Sequence, residues 1–168
     1  MLWRDLWKTK TSPKLRHFLW RAVSGALAVE ERLLSRGIHV DPTCSLCGLG
    51  QEMICHVLFN CPMAQSVLEQ APGLCPPNGF SQSSVFLNIL HLLKCSRDGG
   101  IDKLMRLAFP WILWQLWKAR NEFCFERVQH DPLSIWERAS EEAEIWLTLQ
   151  VLRRRLSESN GENLLQEF

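Results

Sequence analysis

The sequence has no tyrosine and no adjacent pair of aspartates, and its five aspartates are scattered. It has almost no net charge, +1 over 168 residues, so the overall balance says nothing about a polyanionic partner. Long apolar runs are missing too. Residues 107–117, LAFPWILWQLW, come closest, but they contain Pro110 and Gln115 and fall short of the roughly 18 apolar residues of a membrane span. No membrane partner is expected. The opening MLWRDLWKTK lacks the apolar stretch of an export signal. That points to an intracellular, reducing setting and argues against a disulfide framework for the seven cysteines.

What is present suits a globular chain. Hydrophobic residues make up 46% and charged residues 22%, enough to bury a core without covalent staples. The charge is uneven. Residues 1–25 carry six Lys or Arg against the single acid Asp5, and the chain from residue 63 onward is slightly acidic. Lys8, Lys10, Lys14, Arg16 and Arg21 are therefore the candidate nucleic-acid contacts, with a solvated basic face as the competing reading.

The apolar periodicity is helical throughout. Ser12-Pro13 reads as a cap and first residue, followed by Leu15, Phe18, Leu19, Ala22 and Val23 on one face. A short helix is expected over Val29–Arg36, with Leu33 and Leu34 inward and Gly37 as the left-handed stop. Residues 38–62 have no clean period, and a two-turn helix follows Cys61-Pro62. APGLCPPNGF, residues 71–80, holds three prolines and two glycines and reads as a linker. Helical character returns over 84–94. Residues 101–128 read as one helix kinked at Pro110, or as two helices. Trp111, Trp114 and Trp117 lie there at three-residue spacing, as core or as a protein-binding stripe. Asp131-Pro132 opens a last helix expected to end near Arg153-Arg154-Arg155. The expected fold is mainly α: a zinc-stabilised helical subdomain over 1–70, a linker over 71–83, a helical subdomain over 84–156 and a flexible tail over 157–168.

The chemistry lies in the irregular segment. Cys44, Cys47, His56 and Cys61 read C-x2-C-x8-H-x4-C. Four soft or borderline donors within eighteen residues match the coordination number of structural zinc, with no position left open for catalysis. Gly48 suits the tight turn after Cys47. The five-residue step from His56 to Cys61 is about one and a half α-helical turns, so the chain must bend before Cys61. Cys55 is the nearest competing ligand. Cys75, Cys95 and Cys124 have no partner spacing, and Cys124 reads as a small buried hydrophobe. His17 and His39 read as ordinary histidines rather than ligands.

The same residues carry a family pattern: Trp7-Lys8, Pro13-Lys14-Leu15, Phe18-Leu19-Trp20-Arg21, Ala26-Leu27, Leu33, Arg36-Gly37, then Cys44-x2-Cys47-Gly48, Glu52, His56-x2-Phe59 and Cys61-Pro62-x-Ala64. Residues 3–68 resemble the zinc-binding domain that follows the polymerase in plant LINE-type, non-LTR retrotransposon reverse transcriptases. Three departures stand out. Ala28-Val29 replaces the usual Pro-Thr, which deprives the second helix of its cap; Cys55 precedes the histidine; and Val67-Leu68 replaces Val-Trp. Residues 111–147, with Trp114-x2-Trp117-Lys118-Ala119-Arg120-Asn121 and Phe125, are similar to the spacer before an RNase H-like domain in those proteins. The resemblance implies a piece of such a polyprotein, or a gene derived from one. It also implies a role beside RNA or DNA. The polymerases of that family use a Tyr/Phe-x-Asp-Asp turn, which this chain lacks, so a non-catalytic module is expected. The alternative is a structural spacer or protein-interaction scaffold with a structural zinc and no nucleic-acid role.

Overall fold

A computed structural model describes the backbone of residues 2–165 and the side chains of residues 2–158. Among the described residues the chain forms seven α-helices and one π-helical turn, with no strand beyond an isolated Thr43–Gln51 bridge. The elements are α1 (Leu2–Trp7), α2 (Pro13–Val23), α3 (Glu30–Leu34), the π turn (His56–Asn60), α4 (Pro62–Leu68), α5 (Val85–Cys95), α6 (Lys103–Glu126) and α7 (Pro132–Leu165).

Most boundaries follow local chemistry. Ser12 accepts the Leu15 N–H at 3.3 Å and Pro13 opens α2. Ser84, Asp102 and Asp131 act the same way ahead of α5, α6 and α7. Ser12→Ala is expected to cost about 1 kcal/mol, read as a lower midpoint in urea unfolding. Gly37, at φ +78, closes α3 with the Ile38 N–H bonded back to the Leu33 carbonyl.

α6 is the hub. It packs against α2, the π turn, α4, α5 and most extensively α7. Leu107 through Leu113 are all buried, as are Gln115, Leu116, Trp117, Ala119 and Arg120. One hydrophobic core therefore runs from Leu2 and Leu6 of α1 to Ala139 and Ala143 of α7.

The structure departs from the sequence expectations in some places and decides between stated alternatives, at Pro110 and at the tryptophans of α6, in others. α1 is an additional helix. α6 is continuous through Pro110, which is buried with neighbours on every side, so the lost N–H bond is tolerated. Trp111 and Trp117 are core residues, and half-buried Trp114 lies edge-on to Phe18, so they form no exposed stripe. Leu33 and Leu34 are only half-buried. Segment 71–83 is tied down: Ala71 and Leu74 are buried, and Phe80 packs on Phe59 at 5.0 Å. α7 runs past Arg155 to Leu165, over most of the stretch expected to be a tail, and residues 166–168 lie outside the described residues.

Candidate metal centre

The segment between α3 and α4 has little regular structure. Its backbone is folded by a few short bonds: Gly48 N–H to the Cys44 carbonyl at 2.8 Å and Cys44 N–H to the Gly50 carbonyl at 3.0 Å. The Leu49 N–H reaches back to Cys47 Sγ at 3.3 Å. Gly48 has φ +66, a conformation that side chains other than glycine's rarely take, so the turn after Cys47 depends on it.

The second half of the site is built by the π turn. His56 to Asn60 wind with an i→i+5 bond, Cys61 N–H to the His56 carbonyl at 2.7 Å. That pitch brings residues five apart nearly over one another, which an α-helix cannot do. The bend expected before Cys61 is thus a widened turn, followed by a switch to ψ 137 at Cys61. The turn's other face carries Val57, Leu58 and Phe59, all buried, so the ligands and the core are fixed by one short element.

The result brings all four predicted ligands together. One donor atom from each of Cys44, Cys47, His56 and Cys61 lies within 4.8 Å of every other, and Cys47 Sγ is 3.3 Å from His56 Nε2. Around a shared tetrahedral zinc, neighbouring sulfur and nitrogen donors stand roughly 3.5–3.8 Å apart. The donor set fits that ion in number, type and spacing. Crowding three thiols together also splits their acidities, raising two and lowering the third. Cys44 is pushed up to about 12, first by its hydrogen bond with Cys61 and then by burial. Cys47 is raised by burial, while Cys61 is lowered because it accepts from Cys44. A divalent cation inverts this balance, since coordination deprotonates a thiol outright.

Cys55 is turned away from the cluster. Its Sγ donates to the Ser81 carbonyl at 3.1 Å and accepts from Asn88 Nδ2 at 3.3 Å. Burial pushes its thiol up to about 11. His17 stacks on Trp20, and His39 is exposed. Cys124 is half-buried rather than buried, and its Sγ lies 3.1 Å from Ser45 Oγ inside the Cys44–Cys47 turn.

Residues 1–67 match a family model described as zinc-binding in reverse transcriptase. That matched segment contains all four residues of the ligand cluster. The chain is also 28% identical over 131 residues to an Arabidopsis thaliana protein named "Putative ribonuclease H protein". That match takes in 74% of this chain and 21% of the relative, so the chain spans about a fifth of that protein's length. No solved structure matches the chain.

The zinc-binding domain is bolted to the helices that follow it. Glu52, 0% exposed, accepts from Arg120 Nε at 3.1 Å and from the Glu30 N–H at 3.1 Å. The second bond replaces the cap that Val29 does not supply to α3. Arg120, 3% exposed, also pairs with Glu30 Oε1 at 3.0 Å. Burial opposes the Arg120 charge, but the Glu52 carboxylate outweighs it and holds the guanidinium above its ordinary value. Glu30, Glu52 and Cys124 also bring donors within 4.8 Å of one another. There the Arg120 guanidinium already supplies the positive charge. Both ends of this pair belong to the motifs noted in the sequence; their partnership across 68 positions does not show there.

The five predicted basic contacts divide. Lys14 Nζ lies over the Trp114 ring at 4.5 Å. Arg16 donates to the Trp7 carbonyl at 3.1 Å, and Arg21 to the Ala26 carbonyl at 3.0 Å. Lys8 and Lys10 line a cavity, beside Arg4. Among the described residues no helix is long and apolar enough to cross a membrane.

Proposed function

We propose that this chain is a non-catalytic module derived from a retrotransposon reverse transcriptase, that its zinc is structural, and that it assists in holding RNA or DNA. Four protein ligands leave the ion no open position for water or substrate, which supports a structural role. The observation that carries the nucleic-acid reading is the outer surface of α1. Leu2 and Leu6 face the core, while Trp3 and Trp7 are 44% and 49% exposed beside the exposed cations Arg4 and Lys8. Two large aromatic rings left in water, one helical turn apart and next to unpaired positive charge, suit stacked bases and a tracking phosphate backbone.

The structural-spacer alternative is supported by the Glu52–Arg120 pair, which fixes the zinc segment to α6. It draws no support from the tryptophans of α6, because Trp111 and Trp117 are buried.

Titrating the full chain with a single-stranded RNA or DNA oligonucleotide across a salt series separates the two. A log–log slope of about −3, the value for four neutralised phosphates on a single strand, is expected. A flat slope, or no binding at low salt, favours the spacer.

A further inference from the structure

Resting on the nucleic-acid reading above, we infer that the phosphate backbone is held in a basic cleft built jointly by the zinc-binding domain and the helices after it. The cleft lies between α1, the turn leading to α2, the end of α5 and the start of α6. It is a cavity of about 460 Å³, within the range of ligand sites. Arg4, Lys8 and Lys10 line one side; Arg97, Lys103 and Arg106 line the other. The one acid in the wall, Asp5, is bound by Arg97 at 2.9 Å, and that guanidinium holds its carboxyl below the usual carboxylate range.

With Arg97 and Asp5 cancelling each other, five cations remain uncompensated in one cleft, a concentration of charge that suits an anion. Concave low-dielectric walls strengthen such a field beyond what the whole-chain charge of +1 suggests. Most of these cations are uncommitted. Among the described residues Arg4, Lys8, Lys10 and Lys103 form no salt bridge, and Arg106 Nε is buried without a hydrogen-bond partner. Arg106 is held in place by a 3.4 Å bond from Nη1 to the Ser96 carbonyl. A smaller cavity of about 200 Å³ shares Lys10 and Lys103 and adds Arg154 of α7, so the positive track continues beyond the first cleft. A track with this many fixed positive groups fits successive phosphodiesters better than a single anion. The exposed Trp3 and Trp7 of α1, next in the chain to Arg4 and Lys8, favour a single-stranded nucleic acid over an acidic peptide, which has no bases to stack.

The test uses the full chain, a labelled 12-nucleotide single strand, and two cleft variants. One is Lys103→Gln/Arg106→Gln; the other is Arg4→Gln/Lys8→Gln, at exposed positions in α1 and just after it. Arg36→Gln/Arg138→Gln is the control with the same charge change at exposed positions elsewhere. Both cleft variants are expected to bind at least tenfold more weakly at 50 mM salt and to lose about 1.4 units of log–log slope, two single-strand phosphate contacts. The control should stay within about threefold of wild type. Cleft variants that keep wild-type affinity and slope, or lose no more than the control, overturn the cleft while leaving the nucleic-acid reading intact. A wild-type chain that does not bind at 50 mM salt overturns both. A 12-residue polyglutamate that competes as well as unlabelled oligonucleotide overturns the assignment to phosphate.

Discussion

Cys44→Ser should abolish zinc binding and destabilise the whole chain by on the order of 5 kcal/mol or more, because metal-binding energy is folding energy where ligands meet only in the native state. For a chain of this size that corresponds to a fall in melting temperature of roughly 10–20 °C. The effect should not stay local. The π turn that presents His56 also buries Val57, Leu58 and Phe59 against α4 and α6. Loss of the ion therefore loosens a wall of the core. Amide exchange should show protection lost first over residues 43–61 and α3, with α6 the last to open. Cys75→Ser, which alters an exposed thiol outside the cluster, should leave both melting temperature and zinc content unchanged. Equal melting temperatures for Cys44→Ser and Cys75→Ser would contradict this.

The second large effect concerns the ion pair at the heart of the molecule. Arg120→Met should cost about 3–5 kcal/mol, because it leaves the Glu52 carboxylate buried without its partner. Adding Glu52→Gln should recover part of that loss. The amide carbonyl can still accept the Glu30 N–H, and the fully buried charge is gone, leaving only the partly exposed Glu30 carboxylate without its partner. The double variant is thus expected to be more stable than Arg120→Met alone, a strong non-additivity that a double-mutant cycle in urea would measure. Costs that simply add, or a loss below about 1 kcal/mol for Arg120→Met, would remove the pair from any structural role.

How much of this was legible in the sequence depends on the range of the forces involved. Ser12-Pro13 and Asp131-Pro132 act within one turn of their own helices, and both did what the sequence says. The clustering of Cys44, Cys47, His56 and Cys61 was legible for a related reason: each half of the site is a short piece with a spacing of its own. The π turn was not, because a five-residue step is compatible with a bend, a loop or a widened helix until the packing of Val57, Leu58 and Phe59 decides. Pro110 left one kinked helix and two helices both open because the rule treats a helix in isolation; α6 is held by five other elements and forms as one helix. Arg153–Arg155 suit a helix end but do not enforce one, and no proline stands behind them to stop α7. α1 is too short at six residues to show a period, although Leu2 and Leu6 do point the same way. The cleft was the least legible of all. Arg97, Lys103 and Arg106 lie about ninety to a hundred residues beyond Arg4 and Lys8, in a part of the chain whose charge is slightly acidic. Only the packing of α1 against α5, and of α5 against α6, brings the two groups together.

Elemental analysis of the purified full chain, paired with its circular dichroism, tests the main claim most directly. The account predicts one zinc per folded wild-type chain and no zinc in either Cys44→Ser or His56→Ala. A wild-type chain that is fully helical and metal-free, or variants that keep one equivalent, would contradict it.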